Sequence, residues 1–316
     1  MELDINPYLT RIEDLKVVGC KEKMSLWRDK LHQLTSLRCL EIENSFEHLT
    51  LVGEETGQIR SCDALECLSS DKLPETLEHL EIKECGRLMS LSSKEELPQA
   101  LKHLLISDCG KLESIRDRFH DNTCLESIKI IDCPKLKSLP EGLCHLTNLD
   151  NLHITWCDSL VSFPGGGLRT SNLRDLAVTL CNRLEAFPKG MNNLSSLHTL
   201  SISYCDGFTS ILEDGFPPNL TSLFIWNLKV SKPLFKWGLG RLTSLRELVI
   251  NGKATDMVSF PPEDQKGMMI LPKSLIDLKI FGFPMGLSAS PRLNILLLVP
   301  VESLNPFPRR VYLFRF

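Results

Sequence analysis

No window of 18 consecutive apolar residues occurs in the 316-residue chain, so the sequence holds no candidate for a membrane-spanning helix. The opening stretch, MELDINPYLTRIEDLKVVGC, is acidic and polar and lacks the apolar centre of a secretory signal. Charge of one sign is not in surplus either: 36 Lys and Arg stand against 40 Asp and Glu, a net charge of −4. That balance gives no basic surface for nucleic acid or for an anionic membrane. The motifs that carry common chemistry are missing: no G-x-x-x-x-G-K-[ST], no G-x-G-x-x-G after a strand, no H-E-x-x-H and no G-x-S-x-G. The eight histidines do not cluster at ligand spacing, and Cys62 and Cys67, at C-x4-C, have no second pair to complete a zinc site. Together these absences predict a chain that is not an enzyme and carries no cofactor or metal.

What the chain does have is a period. Cys85, Cys109, Cys133, Cys157, Cys181 and Cys205 are each 24 residues from the next. Each sits in the frame L-x-x-[LI]-x-[IV]-x-x-C-x-x-[LF]-x-x-[LIF], filled by Leu77, Leu80, Ile82, Cys85, Leu88 and Leu91 in the first regular copy. A fixed period of 20 to 30 residues is the mark of a solenoid. In L-x-x-L-x-I the apolar side chains line the inner side of a short strand while the intervening residues point out. One such coil cannot bury its apolar side alone, so stability arises between stacked neighbours. The ninth position needs a small group that can bond backbone in a tight turn. Cysteine serves there as a small hydrophobe with a weak S–H donor, which predicts a structural ladder of free thiols in a reducing, cytosolic compartment.

The repeats favour one extended domain over residues 1–286 rather than two ordinary domains. Eleven coils are expected, opening at Ile12, Leu37, Leu77, Leu101, Leu125, Leu149, Leu173, Leu197, Leu220, Leu245 and Leu275. No capping segment precedes Ile12, which suggests that the natural chain continues upstream. The second coil is longer than the others, and residues 52–72 read as an irregular polar insert. The return segments carry proline, as in Leu73-Pro74 and in the Leu139-Pro140-Glu141-Gly142-Leu143 stretch, so the convex side should be loops and short turns. Gly165-Gly166-Gly167 reads as a return-loop turn. Asn193-Leu194-Ser195 and Asn219-Leu220-Thr221 match the glycosylation sequon, by chance in a chain that is not secreted. Residues 287–316 have neither frame nor helical period and form an unassigned tail.

Stacking turns sequence columns into surfaces, with equivalent positions about 5 Å apart. The residue before each cysteine runs Glu84, Asp108, Asp132, Trp156, Leu180, Tyr204: three acids, then three large apolar groups. A second column runs Thr155, Thr179, Ser203, Trp226, with Phe224 on the same strand as Trp226. Neighbouring exposed aromatics on a concave sheet indicate a binding surface, with the acids at one end to select a basic partner. His79 and His103 share another column on adjacent coils, and His153 also points outward, so a response to pH can arise there.

The combination L-x-x-L-x-I-x-x-C-x-x-L-x-x-[LF]-P with the Leu139–Leu149 return, L-P-E-G-L-x-x-L-T-N-L, resembles the leucine-rich-repeat region of plant intracellular immune receptors of the coiled-coil, nucleotide-binding class. The resemblance runs from Ile12 to Phe283 and omits both the nucleotide-binding and the coiled-coil domain. It implies an α/β solenoid, a horseshoe with a parallel concave sheet. It also implies a sensing and autoinhibitory module whose protein partner is a pathogen effector, a guarded host protein or the receptor's own nucleotide-binding domain. The G-x-I-P element of plant extracellular repeats is missing, in agreement with a cytosolic location. Two other readings stay open: the substrate-recognition solenoid of a ubiquitin ligase, which would carry an F-box helical segment, and an extracellular repeat-type enzyme inhibitor, which would carry a signal peptide and paired cap cysteines.

Overall fold

The structure is a computed structural model, and it describes residues 11–18, 31–43, 67–69, 73–92, 97–116, 118–119, 124–168, 170–208, 215–226, 239–251, 271–281 and 294–298. Its strands, in chain order, are β1 (Asp14–Val18), β2 (Cys39–Glu43), β3 (Cys67–Ser69), β4 (His79–Lys83), β5 (Ser90–Ser92), β6 (His103–Ser107) and β7 (Ser127–Ile131). They continue as β8 (Asn151–Thr155), β9 (Asp175–Thr179), β10 (Thr199–Ser203), β11 (Ser222–Trp226), β12 (Glu247–Asn251), β13 (Asp277–Phe281) and β14 (Asn294–Leu298). Twelve of them form one parallel sheet whose spatial order is the chain order, with β3 and β5 paired separately. Every coil therefore adds one strand beside the last, and the leucine-rich-repeat solenoid expected from the frame is the architecture observed.

The reason is visible in one strand. In β8 the burial alternates, with Leu152 and Ile154 fully buried and Asn151, His153 and Thr155 half-buried. Register places Ile128, Leu152, Leu176 and Leu200 in one row and Ile130, Ile154, Val178 and Ile202 in the next. Each apolar side chain is covered by its equivalents on both neighbouring coils, so a single core runs the length of the stack. The first frame leucine and the two after the cysteine close that core from the other side: Leu125 and Leu136 are inaccessible to solvent and Leu139 is buried. Phe187 extends it, edge-on to Phe208 at 4.9 Å and to Phe216 at 6.0 Å.

Helical geometry among the described residues is limited to 3₁₀ turns such as Leu31–Gln33, Leu143–His145, Met191–Asn193 and Leu239–Arg241. The α/β label thus reduces to strands and turns, as the proline-bearing returns require. Gly142, with φ of 84°, begins one of these turns, and a Cβ there would stand 2.4 Å from the Phe119 carbonyl oxygen. Gly167 ends the Gly165-Gly166-Gly167 run with φ of 69° and the Lys189 carbonyl oxygen 2.2 Å from any Cβ.

Two readings of the chain need correction. Among the described residues the sheet holds twelve strands, one more than the eleven coils expected, because β14 from the unassigned tail pairs in register with β13. The insert over residues 52–72 is not wholly irregular, since Cys67–Ser69 pairs in parallel with Ser90–Ser92. Cys20, Ser45, Cys62 and the residues at the cysteine position of the last three coils, Leu228, Lys253 and Phe283, lie outside the described residues.

Candidate functional site

The cysteine ladder closes the turn that follows each strand. All six thiols are buried and free. Each donates to the carbonyl two residues before it: Cys85 to Lys83 at 3.4 Å, Cys109 to Ser107 at 3.3 Å, Cys133 to Ile131 at 3.6 Å. Cys157, Cys181 and Cys205 repeat the contact with Thr155, Thr179 and Ser203 at 3.6, 3.5 and 3.3 Å. Hydrogen bonds from neighbouring thiols and then burial push Cys133 and Cys205 upward, and the Cys157 thiol and burial raise Cys181 against the opposing bond with Cys205. For Cys109 the Cys133 thiol acts the other way, but Cys85 and burial outweigh it, and the group is pushed up to about 12. Thiols in this state stay protonated and are poor nucleophiles and poor metal ligands. Among the described residues no three His, Cys, Asp or Glu side chains are arranged to hold a metal ion.

The residue before each cysteine does not lie on the strand, as its column suggests, but one position beyond its end. Glu84, Asp108, Asp132, Trp156, Leu180 and Tyr204 have φ between 50° and 55°, in the left-handed region. The cause is a second ladder. Each backbone N–H donates to the last strand carbonyl of the following coil: Glu84 to Ser107 at 2.9 Å, Asp108 to Ile131 at 2.9 Å, Asp132 to Thr155 at 2.9 Å, Trp156 to Thr179 at 3.0 Å, Leu180 to Ser203 at 2.8 Å and Tyr204 to Trp226 at 2.8 Å. Holding that bond while turning the cysteine inward demands the left-handed conformation. For an L-residue with a Cβ this costs roughly 1–2 kcal/mol, less for Asp and Asn and none for Gly. A signal for it is present in the sequence: the frame places Gly19, Asn44, Asn227, Gly252 and Gly282, the residue types that enter this region most readily, at the same position of the five other coils.

The six side chains form the rim where the sheet's open face turns over into the thiol ladder. Glu84 and Asp108 are exposed, and among the described residues neither is held in an ion pair; Asp132 is half-buried. Trp156, Leu180 and Tyr204 are half-buried, as are Phe224 and Trp226 on β11. Register sets Trp226 beside Ser203 and Phe224 beside Ser201. The Tyr204 and Trp226 rings are 6.4 Å apart and tilted by 35°. Ser203 lies between these large groups and is only 8% exposed, so the small side chains of Ala177, Thr179, Ser201 and Ser203 form a floor with aromatic groups beside it. Burial raises the Tyr204 hydroxyl above its ordinary range, keeping it a neutral donor. The structure therefore brings Trp156, Leu180 and Tyr204 into one row and joins Trp226 and Phe224 to its far end.

The opposite half of the open face is charged. Lys16 meets Glu41 and Glu43 at 3.1 and 3.0 Å, and Lys83 pairs with Glu81. Exposed pairs of this kind add little stability. At the entry side of the strands, Glu78 accepts from Arg38 at 2.6 Å and Lys102 at 3.0 Å, and the Lys102 and Arg38 bonds hold it below the usual carboxylate range. An open polar hollow lined by His103, Glu126, Asp150, Asn151 and Arg174 follows, without an apolar wall. His79 and His103 stack at 4.5 Å with their planes 17° apart, as their shared column predicts. His153 Nε2 lies 3.4 Å from Asp175 Oδ2 yet makes no hydrogen bond.

No family model matches the chain. Over 69 residues, 22% of this chain, it is 42% identical to an Arabidopsis thaliana protein named "Putative disease resistance protein At3g14460". The match spans 4% of that protein's length. Among solved structures, the Leptospira interrogans LRR protein LIC12759 aligns with 92% of this chain and 73% of its own at 16% identity and a TM-score of 0.39. A leucine-rich repeat protein from Bacteroides ovatus aligns with 91% of this chain and 84% of its own, at 14% identity and a TM-score of 0.21.

Proposed function

We propose that this solenoid is a protein-binding scaffold, the sensing and autoinhibitory repeat region of a plant disease resistance protein that acts in the cytosol. The observation that carries the binding reading is the row of Trp156, Leu180 and Tyr204, which joins Trp226 and Phe224 over a floor of small residues. Apolar and aromatic groups set side by side on a rigid sheet act as desolvated anchors. The 42% identity over 69 residues with a disease resistance protein supports the defence role, as does the repeat frame. On this reading the partner is a pathogen effector, a guarded host protein or the nucleotide-binding domain of the same receptor.

The test is proximity labelling in leaf tissue, with a biotin ligase fused to the chain, before and after pathogen challenge. The wild type should label a set of proteins that changes on challenge. That set should be lost in Trp156→Ala/Tyr204→Ala/Trp226→Ala and kept in Lys189→Ala, an exposed return-loop position. Identical labelling by the wild type and the triple variant would overturn the reading.

A further inference from the structure

Among the rim residues, the bulky ones stand where the backbone favours them least. Trp156, Leu180 and Tyr204 hold φ of 55°, 54° and 53°, a conformation that glycine and asparagine enter far more easily. The frame puts Gly19, Asn44, Asn227, Gly252 and Gly282 at this position in the other coils. Packing does not demand the large groups, since all three are only half-buried and the core beneath is complete without them. Strained conformations persist where function needs the side chain.

We infer that Trp156, Leu180 and Tyr204 are ligand anchors, and that the ligand is an extended polypeptide segment with apolar residues at one end and lysine or arginine at the other. This rests on the protein-binding reading above and deepens it. The segment lies along the rim, across the strands. Its apolar side chains sit against Trp156, Leu180 and Tyr204, over Thr155, Thr179 and Ser203, with Trp226 closing the far end. Its cationic end meets Glu84, Asp108 and Asp132. Asp158 and Asp206, exposed on the other side of the thiols, lie on the coils of Trp156 and Tyr204. The two columns flanking the ladder thus carry five carboxylates and no cation over six coils, and the cations Arg87, Lys111, Lys135 and Arg183 begin one position further round the turn. Six coils cover about 24 Å at the strand spacing, the reach of about seven extended residues.

The full chain is titrated with synthetic ten-residue peptides, followed by calorimetry. One series carries three Lys or Arg at one end and Leu and Phe at the other, in both orders; a second replaces the cations by Glu; a third replaces the apolar residues by Ser. The first series should bind, in one order, at least about tenfold tighter than the other two. Trp156→Ala and Trp156→Gly should both weaken it by about tenfold or more. Melting of the free variants supplies the independent readout: Trp156→Gly should melt above Trp156→Ala, the reverse of the usual order. A Gly variant that melts below the Ala variant would overturn the anchor argument. Equal binding of the acidic series, or no binding by any series, would overturn the ligand class. If proximity labelling still depends on Trp156, Tyr204 and Trp226 in that case, the protein-binding reading stands and only this inference falls.

Discussion

Glu84, Asp108 and Asp132 differ from Trp156, Leu180 and Tyr204 in every chemical respect, yet their φ angles span only 50° to 55° and their N–H groups make the same bond to the next coil. Beneath both halves the thiol bonds the carbonyl two residues back, and the frame leucines are inaccessible. The comparison separates what the fold dictates from what it leaves free. The ladder N–H, the inward cysteine and the buried row are fixed by stacking. The rim side chain is not, so the change from carboxylate to aromatic between the coils of Cys133 and Cys157 reflects what the surface meets rather than how the chain folds.

If the halves share one scaffold, equal damage beneath each should have equal effect. Cys133→Asp and Cys181→Asp each place a carboxylate where the thiol is wholly buried, and each should lose on the order of several kcal/mol at neutral pH. Cys133→Asn should be nearly neutral, because its amide can donate to the Ile131 carbonyl that the thiol now uses. Chemical denaturation of the variants checks this. A much smaller loss for one aspartate than for the other would show that one half of the ladder is looser than its burial indicates.

The next effect in size contrasts core with rim on a single coil. Leu152 is inaccessible, and Leu152→Ala should destabilise by about 2–5 kcal/mol, as should Ile128→Ala on the acid-bearing side. Trp156→Ala, four residues away and half-buried, should lose much less. If Trp156→Ala lowers the melting temperature as far as Leu152→Ala does, the indole is packed as core, and the distinction between dictated and free positions fails there.

Much of this architecture is legible in the order of the residues alone. The 24-residue spacing, the alternating frame and the proline-bearing returns together specify a parallel sheet, a buried row and turns on the far side. The adjacency of His79 with His103 and of Ser203 with Trp226 follows from column order. What the frame does not supply lies where the period breaks. The β14 strand has no leucine frame to announce it, and Cys67–Ser69 finds a partner outside the main sheet. The left-handed turn is the more instructive omission. A pattern of apolar positions reports which side chains face inward, but it does not report φ, and only the glycines and asparagines of the other coils mark the place. Reading the rim as strand therefore misses the conformation that makes three of its residues unusual.

The smallest expected effect belongs to the acid-bearing half alone. Burial, and then the neighbouring His79 imidazole, hold His103 below its ordinary value of 6.5, with Lys102 and Lys129 acting in the same direction and Glu126 against them. A basic group with a depressed native value binds fewer protons folded than unfolded, so stability rises with pH through that window. The penalty is absent well above pH 6.5 and grows as pH falls below it, levelling off once the native group is also protonated. Glu78, held low by Lys102 and Arg38, responds as pH falls below its ordinary 4.5, beneath the interval from pH 5.5 to pH 7.5. The wild type should therefore melt slightly lower at pH 5.5 than at pH 7.5, and His103→Gln should flatten that slope. His79→Gln should flatten it in part, because it removes the neighbouring charge and leaves the burial. Trp156→Ala, on the other half of the rim, should leave the slope unchanged. A slope that survives in His103→Gln would place the titrating group elsewhere, and the stacked pair would then be no more than two rings in adjacent coils.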